Sequence, residues 1–253
     1  MPRWGARRTV TMPRHPEGTL LRHARNAPAI DVETLAPPGG LLIVVPHPDD
    51  ESFGCGQALA SAADAGRTVA IVLLTDGEGS HPHSKRYDRQ ALAALRASEM
   101  HAALRELSPG YDIPVLRLGL PDSRSDPTLV SEAQLDEMVA FATAMNVRAI
   151  WSCWAGDPHC DHVSAARIAR TLATRTGAHL WSFAVWGRFG ERAISDSIAV
   201  FADKRYLARK SRAIAAHRSQ VTTLIDDDPG GFVMPSAFVD HFIHHPEIFL
   251  HDR

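Results

Sequence analysis

Unbroken apolar runs alternate with amphipathic segments along most of this chain, and each kind of segment predicts one type of element. Apolar runs of this length without polar alternation are typical of parallel strands that are buried on both faces. Such runs predict strands over residues 41–45, 68–74, 114–118, 148–153 and 179–185. Apolar residues at helical spacing, together with capping residues, predict helices over 52–65 and 88–107, from Ser131 onward, from Asp157 onward and over 203–220.

The order of these elements indicates the fold class. Strands that alternate with helices form a mainly parallel sheet with helices on both faces. We therefore predict an α/β fold, a Rossmann-like three-layer sandwich, as a single domain over residues 40–253. Residues 1–39 are rich in Pro, Arg and Gly and show no regular period, so we predict an extended N-terminal arm that packs on this domain. The arm and the Phe-rich tail leave a homo-oligomer open.

Composition narrows the function more than the fold. The 253 residues carry a net charge of −2, which gives no signal for a nucleic-acid or membrane partner and suits a small-molecule substrate. No apolar run reaches the ~20 residues that span a bilayer, and no apolar segment of a secretory signal follows the basic N-terminus. The odd count of three cysteines fits a reducing compartment better than a disulfide framework. These features predict a cytoplasmic protein.

Two polar clusters follow two of the predicted strands. The first strand ends in His-Pro-Asp-Asp-Glu at 47–51, and the fourth leads into Asp-Pro-His-Cys-Asp-His at 157–162. The carboxyl ends of parallel strands meet at one edge of the sheet, where open α/β folds build their sites. A catalytic zinc ion takes three protein ligands, drawn mainly from such imidazoles and carboxylates, and leaves one position for water. The two clusters therefore predict a mononuclear metal hydrolase.

Spacing brings four potential metal ligands within reach of one another. His47 and Asp50 are three residues apart around a tight turn, and His159 and His162 are three apart at the start of a helix, where such positions share a face. A hydrolase divides such residues between holding the metal and moving protons. Spacing alone leaves the division open. Asp157 reads best as the N-cap of its helix, with proline at the first helical position.

The two clusters together resemble the PIG-L/LmbE-like family of zinc-dependent N-acetylglucosaminyl deacetylases, and the resemblance extends over residues 40–220. Supporting segments are Leu-Thr-Asp-Gly-Glu at 74–78, Arg96-x-x-Glu99, Leu-Gly-Leu-Pro-Asp at 118–122 and His-x-Ser-Gln at 217–220. The resemblance implies an LmbE-like fold. It also implies a metal-dependent deacetylase that hydrolyses the N-acetyl amide of an N-acetylglucosamine-type sugar or glycoconjugate and releases acetate.

The resemblance further implies roles for individual residues. The implied metal ligands are His47, Asp50 and His162. Their ligand types suit Zn²⁺ and also Fe²⁺. Asp49 would be the general base on the attacking water, and His159 would stabilise the oxyanion or protonate the leaving amine. Asp161 would orient or charge-tune His159. Cys160 stands where the family usually has proline, and its thiol is an alternative metal ligand.

Two residues are candidate contacts to the amino-sugar substrate. Arg86 lies in the polar loop after the second strand, where the family resemblance suggests a contact to the sugar or its aglycone. Asp76 lies at the end of that strand, on the same edge of the predicted sheet as the metal ligands. A solvated loop charge and an ordinary turn residue explain the two positions equally well. The identity of the aglycone is not readable from the sequence.

Two alternative functions remain open, and a third is excluded. The same metal site suits hydrolysis of a different amide or of an ester. A non-catalytic sugar-binding module on this fold would need neither a base beside the metal nor a second imidazole. A dinucleotide-binding domain requires a Gly-x-Gly-x-x-Gly turn after the first strand. The acidic turn at 47–51 would instead repel a pyrophosphate, so that class is excluded.

Overall fold

The computed structural model describes residues 17–195 and 197–251, and within them one sheet organises the molecule. Its seven strands run in the order β3-β2-β1-β4-β5-β7-β6. They are β1 (Gly40–Val45), β2 (Thr68–Leu73), β3 (Val115–Arg117), β4 (Val147–Cys153), β5 (His179–Phe183), β6 (Ser197–Phe201) and β7 (Glu247–His251). Strands β1 to β5 are mutually parallel, and β7 is antiparallel to both of its neighbours. Each of the five predicted strands is present.

Helices cover both faces of this sheet, which confirms the predicted three-layer α/β fold. They are α1 (Thr19–Ala24), α2 (Val32–Leu35), α3 (Asp50–Asp64), α4 (Arg89–Leu107), α5 (Glu132–Ala144), α6 (Cys160–Thr176), α7 (Lys204–Ala216), α8 (Arg218–Val221) and α9 (Ser236–His244). Alternate residues of β1 enter different cores, as the pleat requires. Ile43 packs with the residues of α3, α4 and α7, whereas Val44 packs with those of α5 and α6.

The N-terminal segment contains helices where the sequence predicted extended chain. Residues 17–39 include α1 and α2, and Leu20 of α1 is buried in a small apolar cluster with Trp154 and Ile248. The Ile30 backbone N–H donates to the Val200 carbonyl oxygen at 2.9 Å, and the Val200 N–H donates to the Pro28 carbonyl oxygen at 2.9 Å. Residues 1–16 lie outside the described part of the chain, and the division of the chain at residue 40 stays a prediction. Among the described helices, none combines the length and apolar character needed to cross a bilayer.

The site edge of the sheet follows from the strand order. Strands β2 and β3 lie on one side of β1, while β4 and β5 lie on the other. In open α/β sheets the usual ligand site is the crevice outside the carboxyl ends of the two neighbouring strands at which the strand order reverses in this way. Here those strands are β1 and β4. The two polar clusters follow β1 and β4, so the fold brings them together.

Helix α3 is kinked, and a buried ion pair supports the kink. Cys55 departs from helical geometry, with φ −142° and ψ 23°. The Glu247 carboxylate of β7 accepts hydrogen bonds from the backbone N–H groups of Gln57 at 2.7 Å and Ala58 at 2.9 Å, so it caps the second half of the helix. The Lys210 ammonium pairs with the same carboxylate at 2.7 Å. The first half of α3 begins at Asp50, directly after the turn that follows β1.

Candidate metal centre

The three predicted metal ligands meet at the carboxyl ends of β1 and β4. His47 lies in the turn after β1, Asp50 begins α3, and His162 lies in the first turn of α6. Asp50 Oδ2 is 3.2 Å from His47 Nδ1, and Asp50 Oδ1 is 3.4 Å from His162 Nε2. One ligand atom from each of the three residues lies within 4.8 Å of the others. One carboxylate therefore stands between two imidazoles, as in a three-ligand metal centre.

The hydrogen-bond state of His162 tests whether a metal fits this set. Its side chain is 1% exposed, and neither ring nitrogen has a hydrogen-bond partner within the described structure. Burying an unpaired polar group is costly, so such groups in native proteins call for a partner. A divalent cation bound by Nε2, beside Asp50 and His47, supplies that partner. The set of two histidines and one aspartate is also a donor set that zinc accepts.

Asp157 orients His162 and does not cap α6, so the prediction that Asp157 is the N-cap of this helix is wrong. Its Oδ2 accepts hydrogen bonds from the backbone N–H groups of Val185 at 3.3 Å and Gly187 at 3.1 Å, and it faces His162 Nδ1 at 3.5 Å. Helix α6 begins later, with His159 as its N-cap. The carboxylate is drawn away because the loop after β5 offers it two donors. A carboxylate on the outer nitrogen of a ligating histidine fixes the ring orientation.

Two further carboxylates orient His47. Its Nε2 is 3.0 Å from Asp161 Oδ2 and 3.3 Å from Asp122 Oδ1, while Nδ1 faces Asp50. The Asp161 carboxylate was expected to orient or charge-tune His159. Its charge does act on His159, because it opposes the lowering of the pKa of His159 by burial. The carboxylate itself is held by the loop after β3, where the backbone N–H groups of Ser123 and Ser125 donate to it at 2.7 and 2.9 Å. Asp161 therefore touches His159 through its own backbone N–H.

Charge around His47 favours a cation. Burial alone would lower the pKa of His47, but the carboxylates of Asp122, Asp161 and Asp50 outweigh it and raise this pKa well above the usual value. Burial likewise opposes ionisation of Asp50, yet the charges of His162 and His47 lower its pKa to about 2. The carboxylates therefore stay ionised at neutral pH. A metal ion can replace the proton that they stabilise on His47.

Asp49 is a buried carboxylate poised near neutrality. Burial, reinforced by the charge of Asp50, raises the pKa of Asp49 to about 6 against the opposing effect of Arg96. The Arg96 guanidinium donates to Asp49 Oδ2 at 3.0 Å and to the carbonyl oxygen of Gly77 at 2.9 Å. A Cβ atom at Gly77 would collide with this guanidinium, so glycine is required there. The sequence singled out Arg96 only as part of a helical motif.

His159 stands beside the ligand set as a neutral imidazole. Its ring centroid is 4.9 Å from that of His47 and 5.1 Å from that of His162. Burial, together with the charges of His47 and His162, lowers the pKa of His159 to about 4. Its Nδ1 accepts the backbone N–H of Asp161 at 3.2 Å, so the hydrogen of the neutral ring resides on Nε2. His159 is therefore equipped to donate a hydrogen bond from Nε2.

The two predicted substrate contacts are engaged by neighbouring charges. Arg86 pairs with Asp226 and, at 3.5 Å, with Asp227. Asp76 pairs with Arg117 at 2.6 Å. Their role as substrate contacts stays a prediction.

Cys160 lies outside the ligand set. Neither group of metal-competent side chains found in residues 17–195 and 197–251 includes it, and its Sγ lies 3.4 Å from the Ser123 carbonyl oxygen.

Comparison with known proteins agrees with this geometry. The family model for PIG-L, GlcNAc-PI de-N-acetylase, matches residues 42–173. A 1D-myo-inositol 2-acetamido-2-deoxy-alpha-D-glucopyranoside deacetylase of Mycobacteroides abscessus is 25% identical over 80% of this chain and 90% of its own length. The enzyme of the same name from Rhodococcus erythropolis is 28% identical over 74% of each chain.

Solved structures share the fold. The antimicrobial reagent A40926 pseudoaglycone deacetylase superposes with a TM-score of 0.62 at 18% identity, over 84% of this chain and 96% of that one. The N,N'-diacetylchitobiose deacetylase of Pyrococcus horikoshii superposes with a TM-score of 0.59 at 17% identity, over 75% and 74% of the two chains.

The solved structures confirm the predicted LmbE-like fold. The matching family and the two curated relatives are deacetylases by name, which agrees with the predicted class of enzyme. The family is metal-dependent, which agrees with the unpartnered imidazole of His162. The family match covers more than half of the 253 residues and includes both polar clusters. The chain therefore belongs to the PIG-L family of GlcNAc-PI de-N-acetylases.

Proposed function

We propose that this protein is a zinc-dependent deacetylase that hydrolyses the acetamide of an N-acetylglucosamine unit in a small-molecule glycoside. The observation that carries the proposal is the combination of a buried His162 without a hydrogen-bond partner and a buried carboxylate, Asp49, which precedes the candidate ligand Asp50 in the chain and has a pKa of about 6. The first supplies a vacant ligand atom, and the second supplies a base matched to neutral pH. The relatives from Mycobacteroides abscessus and Rhodococcus erythropolis carry names that specify a 2-acetamido-2-deoxy-glucopyranoside, which supports this substrate class.

The residues that would hold the ion are His47 through Nδ1, Asp50 through its carboxylate and His162 through Nε2. Zinc held by these residues would polarise the acetamide carbonyl and would lower the pKa of a coordinated water to about 7. The outer nitrogens of both histidines face carboxylates, which hold the rings in place. Ligand type alone also suits Fe²⁺, so zinc is the part of the proposal that metal analysis decides.

Asp49 acts as the proton carrier. As a carboxylate it takes a proton from the attacking water, and a pKa of about 6 lets it release that proton to the departing amine nitrogen. Arg96 holds the Asp49 side chain in place through a 3.0 Å hydrogen bond. The products are acetate and a free amino sugar, so the proton taken from water ends on nitrogen.

His159 stabilises the oxygen that becomes negative. Because its pKa is lowered to about 4, this histidine is neutral at neutral pH and is poorly suited to deliver a full proton. Its Nε2–H can instead donate a hydrogen bond to the acetamide oxygen as charge develops there. Of the two roles implied by the family resemblance, the structure favours oxyanion stabilisation. Asp161 supports the reaction through its contact with His47.

The test is acetate release from a panel of N-acetylglucosaminides by zinc-loaded wild type and Asp49→Asn, with Asp112→Asn as a control at an exposed acid far from the site. We expect Asp49→Asn to lose about 10²- to 10⁴-fold in kcat, as for removal of a general base. Its zinc content should equal that of wild type, and the control should match wild type in both. Full activity in Asp49→Asn would refute the assigned base. Zinc binding without acetate release from any acetylated sugar would favour another amide, an ester or a binding module.

A further inference from the structure

Two aromatic side chains at the site edge of the sheet have no part in the proposed reaction. Phe232 is 38% exposed, and it belongs with Tyr111 and Leu129 to the few large apolar side chains exposed within the described residues. Its ring contacts Trp186 in an edge-on arrangement, with 6.0 Å between the centroids. Trp186 is itself partly exposed. Exposed aromatic pairs of this kind are common anchors of ligand and partner surfaces.

A short series of contacts connects Phe232 to the candidate metal ligands. The Phe232 backbone N–H donates to the Ser80 carbonyl oxygen at 2.7 Å. Gly79, the residue before Ser80, donates its backbone N–H to Asp122 Oδ2 at 2.7 Å. Asp122 Oδ1 lies 3.3 Å from His47 Nε2. Phe232 is therefore fixed to the loop after β2, two contacts away from the carboxylate that orients His47.

A second series connects Trp186 to the same ligand set from the opposite side. Trp186 lies between Val185 and Gly187, whose backbone N–H groups both donate to Asp157 Oδ2. Asp157 in turn faces His162 Nδ1 at 3.5 Å. Trp186 therefore belongs to the loop after β5 that grips the carboxylate orienting His162.

The aromatic contact closes these two series into a ring around the centre. The loops after β2 and β5 flank β1 and β4, which carry the ligands. The contact between Phe232 and Trp186 joins the loop after β5 to the segment between α8 and α9, which is hydrogen-bonded to the loop after β2. The pair therefore joins the two segments that hold Asp122 and Asp157, the carboxylates that orient the ligating histidines, and it forms part of the border of the site.

The charges next to Phe232 are paired with one another. Asp227 accepts the backbone N–H groups of Lys85 at 2.8 Å and Arg86 at 3.1 Å, and the Arg86 guanidinium pairs with Asp226. Asp228 accepts the backbone N–H of His83 at 2.8 Å. The Arg86 guanidinium is thus already paired, and the three consecutive acids at 226–228 repel an anionic group. An apolar occupant fits this border better than a phosphate or a carboxylate does.

We propose that Trp186 and Phe232 bind the group attached to the N-acetylglucosamine unit, and that this group is apolar. This inference rests on the proposed function, because it requires the sugar to lie at the metal centre. The aromatic rings bury an apolar aglycone, which lowers KM and leaves the acetamide chemistry to the residues around the metal. The polar inositol in the names of the curated relatives would gain little from this border.

The test compares phenyl and methyl N-acetylglucosaminides of the same anomer, which share the acetamide and differ only in the attached group. For the zinc-loaded wild type we expect kcat/KM to be at least about tenfold higher for the phenyl compound, through a lower KM, since a buried aromatic contact is worth about one to two factors of ten. In Phe232→Ala and in Trp186→Ala the ratio should fall close to one. Tyr111→Ala, an exposed aromatic at the end of α4, should keep the wild-type ratio.

The outcomes separate this inference from the proposed function. Equal kcat/KM for the two glycosides in wild type, or a ratio that survives in both aromatic variants, would overturn the apolar subsite while leaving the deacetylase intact. A preference for an inositol glycoside over the phenyl compound would do the same. Absence of acetate release from both compounds would refute the proposed function. Thermal melting of Phe232→Ala should match wild type. Trp186→Ala should melt at a lower temperature, because Trp186 also packs against Phe238 and the main core, but it should remain folded at the assay temperature, so that a changed ratio reports binding.

Discussion

Helix α3 meets buried charge in two places, and the two places differ in how completely that charge is paired. At the kink, both carboxylate oxygens of Glu247 accept a backbone N–H, and Lys210 donates to Glu247 and to the Phe53 carbonyl oxygen. Lys210 and Glu247 are fully buried. Such a pair is tolerated when hydrogen bonds satisfy each charged group. Both charged groups at the kink therefore have hydrogen-bond partners within the protein.

The first turn of the same helix, by comparison, faces a side chain that lacks a hydrogen-bond partner. Asp50 faces His47 and His162, but His162 has no hydrogen-bond partner at either ring nitrogen within the described structure. The protein itself supplies hydrogen bonds to the ion pair at the kink, whereas at the ligand set His162 Nε2 is left for a metal ion to bind. Unsatisfied buried polar atoms thus separate the functional centre from the structural ion pair, although both are buried and charged.

The largest expected effect on folding comes from breaking the pair at the kink. Lys210→Met keeps the volume and removes the cation, so the Glu247 carboxylate is left buried without it. We expect a loss of about 3–5 kcal/mol in the free energy of unfolding, measured by urea denaturation. Zinc bound per folded chain should not change, because the lysine is not part of the centre.

Two matched variants sharpen this comparison. Arg209→Met removes the cation of a neighbouring, more exposed pair with Asp64 and should cost less than about 1 kcal/mol. The double variant Lys210→Met with Glu247→Gln should recover part of the stability lost in Lys210→Met. A loss in Lys210→Met no larger than that in Arg209→Met would show that burial of this pair has no energetic weight.

A smaller effect, on metal affinity, follows from loosening the ligand set. Asp157→Asn removes the charge that faces His162 Nδ1 and should weaken zinc binding about 10- to 100-fold, as for other residues that orient ligating histidines. Competition with a chromophoric chelator measures this affinity. Asp136→Asn, at an exposed acid on α5, should leave it unchanged. Zinc affinity equal to wild type in Asp157→Asn would contradict the orienting role of this carboxylate.

The smallest expected effect is a shift in the pH profile. The reaction needs Asp49 as a carboxylate, and burial raises the pKa of Asp49 to about 6. The kcat/KM should therefore fall as the pH drops through about 6, or through a lower value once a bound cation favours the ionised form. Arg96 opposes the rise of this pKa, so Arg96→Met should move the acidic limb to higher pH. If the acidic limb of the pH profile lies at the same pH in Arg96→Met as in wild type, ionisation of Asp49 does not determine that limb.

Much of the fold could be predicted because a strand that is buried on both faces consists of an unbroken run of apolar residues. Strands β1 and β4 are buried along almost their whole length, and unbroken apolar runs predicted them. Strand β6 was missed because it is only partly buried. Strand β7 was missed because it begins with Glu247, which is charged yet fully buried against Lys210. The ion pair between Lys210 and Glu247 allows this charge to be buried, and it joins residues that are far apart in the chain.

The metal ligands could also be predicted from the sequence, because they form short local motifs at strand ends. The residues that orient these ligands could not be predicted. Asp157 has the position of a helix cap, and only the donors of the loop after β5 draw it towards His162. Asp122 and Arg96 belong to segments distant in sequence from His47 and Asp49. Their roles depend on tertiary contacts that spacing along the chain does not encode.

X-ray absorption spectroscopy of the zinc-loaded protein tests the central claim most directly. The account predicts a first shell of nitrogen and oxygen only, at about 2.0–2.2 Å, with outer-shell scattering from two imidazoles and with one imidazole lost in His162→Gln. A sulfur neighbour at about 2.3 Å would place Cys160 on the metal and contradict the assigned ligand set. An unchanged imidazole count in His162→Gln would contradict it as well.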